Sequence, residues 1–184
     1  MANERIYHEL QADTVNSAIN VPEVDATVFA RTETGLRLVK RELYARGGHT
    51  LTDQLFVVGS TPLLISERAY DQIRRLQVCP SIEWHPVQIT WRRSTYPYWA
   101  GETIIEHDIW DYDRSDYALI DDDGPRQNSN VAFMRNGVIK ARLVPEFDLF
   151  HAEFNQWIGS ESMKVLWEAA ALTGMRFAAV EISE

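Results

Sequence analysis

The sequence predicts an α+β fold, with a mixed, mostly antiparallel sheet and two principal helices in a duplicated strand–helix–strand arrangement. Two observations lead to this prediction. Residues 61–89 and 157–182 repeat one order of features: a short apolar run, a Ser-Glu pair, an amphipathic helix and a further strand. The rest of the chain alternates short runs of β-forming residues with turn-forming residues. Two copies indicate a duplication and not a solenoid, which needs about three repeats or more.

The first unit begins with the apolar run 63–65, which is typical of a buried strand. Ser66 is predicted to cap the following helix, because its hydroxyl can accept a hydrogen bond from an orphaned backbone N–H. Glu67 then places negative charge at the positive end of the helix dipole. The apolar residues of the helix have the spacing of one buried face: Ala69, Ile73 and Leu76. After Pro80 a second strand is predicted, with apolar residues Ile82, Trp84, Val87 and Ile89.

The second unit follows the same order near the end of the chain. Trp157 and Ile158 form its apolar run, and Ser160 and Glu161 take the places of the first Ser-Glu pair. The predicted helix face contains Met163, Leu166, Trp167 and Ala170. Gly174 is predicted to end this helix, since glycine is the usual residue past a helix end. The last predicted strand has apolar residues Met175, Phe177, Val180 and Ile182.

The remaining elements are predicted from turn signals. Residues 1–23 are polar and irregular and are interpreted as an N-terminal arm or a loosely packed edge. A hairpin with a turn at 33–35 is expected within 24–41, and Gly47-Gly48 marks a loop. Asn136-Gly137 predicts a tight hairpin turn, because both central positions of such a turn need positive φ. Further strands are expected at 55–58, 103–109, 117–120 and 149–154, and 121–130 is predicted to be a solvated loop.

The composition describes one domain over residues 1–184, with 45% hydrophobic residues to build a core. No apolar run is long enough to cross a membrane, and the N-terminus lacks the pattern of a signal peptide. Cys79 is the single cysteine, which excludes an intrachain disulfide and agrees with a reducing compartment. These observations predict a cytoplasmic protein.

The net charge of −9 argues against direct nucleic-acid binding, which needs a basic surface. Most of this charge lies in one window, 102–123, where Arg114 is the only basic residue. The nine acidic residues of the window are Glu102, Glu106, Asp108, Asp111, Asp113, Asp116, Asp121, Asp122 and Asp123. Such a concentration of charge can steer and hold a basic partner.

No nucleotide-binding glycine loop, GxSxG elbow, HExxH motif or cysteine pair is present. Asp111, Asp113, Ser115 and Asp122 imitate four positions of a calcium loop, but Asp116 replaces the glycine that this loop requires. Turn hydrogen bonds are the alternative role of these residues. His107 lies between two carboxylates and is interpreted as a surface histidine, and Cys79 as a packing residue. No metal or cofactor is therefore predicted.

Several segments resemble a family of bacterial polymorphic-toxin immunity proteins, first annotated from a myxobacterial immunity protein and formerly a domain of unknown function. The segments are PLLISERAYDQI, IEWHPVQI, IWDYDRSDY and SESMKVLWEAAALTGMRFAAVE, and the resemblance covers residues 55–184. It implies a non-catalytic immunity protein that binds and neutralises a cognate antibacterial toxin, a secreted effector, by occluding the toxin's active site. The predicted partner is a basic toxin domain, with no membrane and no nucleic acid.

We expect the toxin to bind the acidic, aromatic-rich segment, whose composition is that of interface hot spots. The predicted toxin-binding residues are Glu102, Glu106, Asp108, Trp110, Asp111, Tyr112, Asp113, Asp116, Asp121, Asp122 and Asp123. One alternative is a metal-dependent hydrolase that uses the same segment, 102–123, to reverse a toxin's modification. The other is a structural subunit of a larger assembly.

Overall fold

The computed structural model describes residues 6–13, 23–25, 29–32, 35–58, 62–120 and 131–184. These residues contain helices α1 (Glu67–Ile73) and α2 (Glu161–Ala169) and a short 3-10 helix (Ala141–Leu143). The strands are β1 (Tyr7–Ala12), β2 (Glu23–Asp25), β3 (Phe29–Thr32), β4 (Gly35–Leu38), β5 (Glu42–Arg46), β6 (Gln54–Val58), β7 (Leu63–Ser66), β8 (Glu83–Trp91), β9 (Ser94–Glu102), β10 (Asp116–Leu119), β11 (Val131–Asn136), β12 (Val138–Lys140), β13 (Leu149–Ala152), β14 (Gln156–Ser160), β15 (Met175–Ala179) and β16 (Glu181–Ser183). The predicted α+β class, with two helices and mostly antiparallel pairing, is confirmed.

The first half of the fold is a closed barrel with strand order β2-β5-β8-β9-β7-β6. Its inner face follows the two-residue period of β-strands, so that Val87 and Ile89 are buried while Gln88 between them is exposed. The barrel core is small and apolar: Val24, Leu43, Leu55, Leu64, Val87, Ile89, Tyr98 and Ala100. β8 and β9, of nine residues each, form a long hairpin of this barrel, with the turn at Arg92-Arg93 at one end and Glu83 and Glu102 at the other.

The second half is a four-stranded sheet with strand order β13-β14-β1-β15. The larger hydrophobic core, to which this sheet contributes Phe150 and Ile158, also contains the buried faces of both helices. Ala69 and Ile73 supply the face of α1, and Met163 and Trp167 supply that of α2. Ile65 of the barrel strand β7 is also part of this core, which therefore joins the barrel to the second sheet.

The predicted duplication is present in the strand topology. In the barrel, β7 and β8 both pair antiparallel with β9, which therefore lies between them. In the second sheet, β14 and β15 pair in the same way with β1. The two units consequently have equivalent orders, β6-β7-β9-β8 and β13-β14-β1-β15, although their central strands come from different parts of the chain.

Both predicted helix caps are confirmed. The Ser66 hydroxyl accepts a hydrogen bond from Ala69 N at 3.2 Å, and the Ser160 hydroxyl accepts one from Met163 N at 3.3 Å. Each cap serine also donates to an aspartate that precedes the first strand of its own unit. Ser66 donates to Asp53 at 2.7 Å, and Ser160 donates to Asp148 at 2.6 Å.

The interpretation of residues 1–23 as an arm is wrong for Tyr7–Ala12. This segment is the central strand of the second sheet, and Tyr7 and His8 are each 3% exposed. His8 is accommodated in the interior because its Nε2 lies 2.5 Å from Glu161 Oε2 at the start of α2. The sequence of the strand is polar, so its burial depends on long-range pairing with β14 and β15.

The predicted hairpin turn at Asn136-Gly137 is also wrong. β11 pairs with β10, whereas β12 runs parallel to β16, so the chain passes here from one sheet to another. Gly137 is needed because the Trp110 ring packs closely against it, and its φ is not positive. A Cβ on Gly137 would lie 2.2 Å from the ring of Trp110.

Most other predicted elements are found. β3 and β4 form the expected hairpin, and Gly47 and Gly48 have positive φ in the predicted loop. The strands predicted at 55–58, 117–120 and 149–154 correspond to β6, β10 and β13. Residues 103–109 do not form the predicted strand, since only an isolated bridge at His107 occurs there. The predicted loop 121–130 lies outside the described residues.

Candidate functional site

The acidic segment leaves the far end of the β8–β9 hairpin and crosses to the second half of the fold. His107 N donates to His151 O at 3.0 Å, and Glu153 N donates to His107 O at 3.3 Å. Further along, Asp111 N donates to Val138 O at 2.7 Å. These backbone bonds fix the path of the segment against β12 and β13, so its exposed side chains have defined positions.

Three of the predicted toxin-binding residues lie in the interior. Glu102 and Trp110 are each 2% exposed, and Asp111 is 7% exposed. Trp110 packs on Gly137, and the backbone N of Thr103 donates to Glu102 Oε1 at 3.0 Å. These three side chains are covered by the fold and pack beneath the segment, and their contact with a toxin stays a prediction.

Asp111 organises the turn that follows it. It accepts hydrogen bonds from Ser183 Oγ at 2.8 Å and from Asp113 N at 3.3 Å, and it lies 3.7 Å from Lys140 Nζ. The bond from Ser183 is the main reason why the pKa of Asp111 is below its usual value, and Lys140 contributes. Ser115 Oγ accepts a hydrogen bond from Val138 N at 2.9 Å. The suggested turn role is found for Asp111, which accepts from Asp113 N two residues on, whereas the Ser115 hydroxyl bonds the distant strand β12.

The accessible part of the segment is here called the acidic face, and it consists of Glu106, Asp108, Tyr112, Asp113 and Asp116. Tyr112 lies at its centre, with its hydroxyl 2.9 Å from Glu153 Oε2 and 3.2 Å from Asp108 Oδ1. Burial raises the pKa of Tyr112, and the neighbouring carboxylates raise it further. Tyr112 therefore remains neutral, and its single hydroxyl proton is shared between the two carboxylates, of which Glu153 is the nearer acceptor.

A polar depression of about 430 Å³ opens on this face, beside Tyr112, Asp113 and Asp116. Tyr117 forms another wall and meets the Tyr112 ring edge to face, at 5.9 Å between centroids. Arg135 also lines the depression, 3.9 Å from Asp116 Oδ1. The depression thus combines aromatic and charged groups, the composition of a recognition surface.

The charge of the segment is less concentrated than its sequence window suggests. Arg135 and Lys140, which are distant in sequence, lie beside Asp116 and Asp111, whereas Arg114, the basic residue of the window, pairs with Glu181 outside it. Partial neutralisation of this kind depends on the fold and cannot be read from a window of sequence. Asp108 and Asp113 remain as exposed carboxylates next to Tyr112. Asp121, Asp122 and Asp123 lie outside the described residues.

Sequence reasoning missed two apolar residues beside the acidic face. Ile104 and Ile105 are 52% and 49% exposed in residues 103–106, which we call the isoleucine loop. As part of a strand, one of two consecutive isoleucines would face the core. The sequence did contain a signal, because the Ile-Ile pair does not fit the alternation of a half-buried strand.

The single cysteine of the chain lies next to His107 and Ser81. Cys79 is 5% exposed, with its Sγ 3.8 Å from His107 Nε2 and 3.1 Å from Ser81 Oγ. Burial lowers the pKa of His107. The enclosed thiol agrees with the predicted packing role. In the described part of the chain, no group of three or more His, Cys, Asp or Glu side chains is placed to hold a metal ion.

Comparison with known proteins identifies one family. Residues 15–181 match the Immunity protein family (Imm11). The sequence has no match among curated proteins. Within the described ranges, no helix has the length and apolar character needed to cross a membrane.

Proposed function

Because the chain belongs to the Imm11 immunity protein family, we propose that it binds a cognate antibacterial toxin, a secreted effector, and neutralises it by occluding its active site. The family match over residues 15–181 is the observation that carries this proposal. The reducing cytoplasm, where a lone cysteine is stable, is the proposed site of protection.

The acidic face supplies the proposed contact surface. Its exposed carboxylates, above all Asp108 and Asp113, attract a partner of opposite charge over a distance comparable with the Debye length, about 8 Å at physiological salt. Attraction of this kind raises association rates more than it raises affinity. A basic toxin domain fits the charge of this surface.

The proposed mode of inhibition is a block of the toxin's substrate cleft. Toxins that act on nucleic acids or nucleotides need basic clefts to bind phosphate. A carboxylate held by a neutral tyrosine, as Asp108 is held by Tyr112, presents negative charge to such a cleft. The immunity protein would then occupy the cleft without offering a bond to cleave.

The experiment begins with capture of the partner from the protein's own cells, followed by kinetics with the purified toxin domain. The test variant carries Asp108→Lys and Asp113→Lys. The control carries Asp71→Lys and Glu168→Lys, an equal change of net charge on exposed positions of the two helices. We expect the test variant to associate about 10-fold more slowly at low salt, and the control to associate at close to the wild-type rate.

Two results contradict the proposal. Equal association rates for the test and control variants show that the acidic face is not the toxin surface. Failure of the wild-type protein to capture and inhibit any toxin overturns the immunity function itself. Recovery of the protein alone with a stoichiometric metal would instead favour the hydrolase.

A further inference from the structure

The isoleucine loop contains two exposed apolar side chains that are held in place by buried polar groups. Thr103 is 1% exposed, and its hydroxyl accepts a hydrogen bond from Ile105 N at 3.0 Å. The same hydroxyl donates to Ser81 Oγ at 3.1 Å, and Thr103 N donates to Glu102. The exposure of Ile104 and Ile105 is therefore a feature of an anchored loop, and little conformational entropy is lost when a partner covers them.

The surroundings of the loop indicate the chemistry of that partner. Glu106 follows the isoleucines directly, and Asp108 lies two residues further on. Apolar side chains at the centre of a patch with charged groups around them form the usual anatomy of a protein interface. Since the charges here are carboxylates, the complementary surface has an apolar pocket with Arg or Lys side chains at its rim.

We infer that Ile104 and Ile105 are the apolar anchor of toxin binding, and that they insert into an apolar, base-rimmed pocket on the toxin domain. This inference rests on the proposed function and adds the chemistry of the contact. The acidic face then sets the rate of encounter, and the isoleucine loop sets the lifetime of the complex. Buried aliphatic anchors act mainly on dissociation, whereas charges at the rim act on association.

The groove between the two helices is the competing apolar surface. It encloses about 720 Å³ between Leu76 on one side and Val165 and Leu166 on the other, and Val165 is 55% exposed. Its only acidic lining residue is Glu161, which is already engaged by His8 and Lys164. The groove therefore offers one carboxylate to a basic partner, whereas two, Glu106 and Asp108, follow the isoleucines.

The test compares three variants against the captured toxin domain. The combined substitution Ile104→Ser and Ile105→Ser removes the anchor, Ile104→Leu with Ile105→Leu retains its apolar character, and Val165→Ser changes a side chain of equal exposure in the helix groove. All three sites are exposed, so folding is checked simply by thermal unfolding. We expect the serine pair to raise the dissociation rate about 30-fold, with association changed less than about 3-fold.

The leucine pair and Val165→Ser should dissociate at rates close to that of the wild type. A serine pair that dissociates at the wild-type rate overturns this inference while the proposed function stands. A large effect of Val165→Ser alone also overturns it and moves the anchor to the helix groove. If the wild-type protein binds no toxin, the proposed function fails first.

Discussion

The two strand–helix–strand units are built alike but are fastened differently. In each unit an aspartate accepts two hydrogen bonds. One comes from the serine that caps the helix of the same unit. The other comes from a backbone N–H just after the helix of the other unit. Asp53 binds Thr173 N at 2.9 Å, beyond α2, and Asp148 binds Gln77 N at 2.9 Å, beyond α1. The units therefore hold each other through two reciprocal contacts, here called the Asp53 clasp and the Asp148 clasp.

The Asp53 clasp has additional partners. Arg68 donates to both carboxylate oxygens, at 2.7 and 3.2 Å, and the Thr173 hydroxyl donates at 3.1 Å. Asp53 is 8% exposed, while Asp148 is half-buried. One local pattern is thus present twice, and in the Asp53 copy it is reinforced by an ion pair with Arg68. Each clasp crosses between the units, and the single domain over 1–184 stays a prediction.

Removal of the aspartates has the largest expected effect. Asp53→Ala leaves the cap serine, Arg68 and Thr173 without their acceptor, and we expect it to lower the free energy of unfolding by about 3 kcal/mol. Asp148→Ala breaks fewer bonds, and we expect a loss of about 2 kcal/mol. Urea unfolding followed by circular dichroism measures both values.

Asp71→Ala is the matched control, because Asp71 is an exposed residue of α1 with an ion pair to Arg74. Its expected cost is within about 0.5 kcal/mol. Equal losses for Asp53→Ala and Asp148→Ala would show that Arg68 and the Thr173 hydroxyl add nothing to the Asp53 clasp. Two separate unfolding transitions in the wild type would argue against a single domain.

Acidification should weaken the Asp53 clasp, with a smaller effect than deletion of Asp53. Burial alone would raise the pKa of Asp53, but hydrogen bonds from Arg68, Ser66 and Thr173 hold it below the ordinary value of 3.8. A carboxylate with a lowered folded-state pKa contributes its stability above the unfolded pKa and loses it as the pH falls through the folded value. From about pH 5 to about pH 2, the free energy of unfolding of the wild type should fall more than that of Asp53→Asn.

The measurement for this prediction is the urea midpoint as a function of pH in both proteins. Asp53→Asn lacks the titrating group but keeps a side chain of the same shape. Parallel curves for the two proteins would mean that Asp53 does not contribute to the acid sensitivity of the fold.

The helix starts were predictable because they depend on neighbouring residues. Ser66 and Ser160 precede amphipathic segments, and a capping hydroxyl needs only the chain three residues ahead. The central strands were not predictable in this way. The second unit takes its central strand from residues 7–12, more than 140 residues before β14, and no local pattern encodes that pairing.

The candidate site shows the same division between local and long-range information. The acidic segment and its turn at Asp111 could be recognised from residue types alone. Burial of Glu102 and Trp110, and neutralisation of Asp116 by Arg135, depend on contacts between distant parts of the chain. The exposure of Ile104 and Ile105 depends on Thr103 and Ser81, which are 22 residues apart.

The smallest expected difference concerns the cap serines, where the two units are alike. Ser66→Ala and Ser160→Ala each remove one cap and one bond to an aspartate, and both should cost about 1 kcal/mol. Since the cap distances agree at 3.2 and 3.3 Å, the two costs should differ by less than about 0.5 kcal/mol. Threonine at either position keeps the hydroxyl and serves as the control in urea unfolding. A much larger loss of unfolding free energy for Ser66→Ala would show that the first unit is stabilised more by its helix cap than by the ion pair of Asp53 with Arg68.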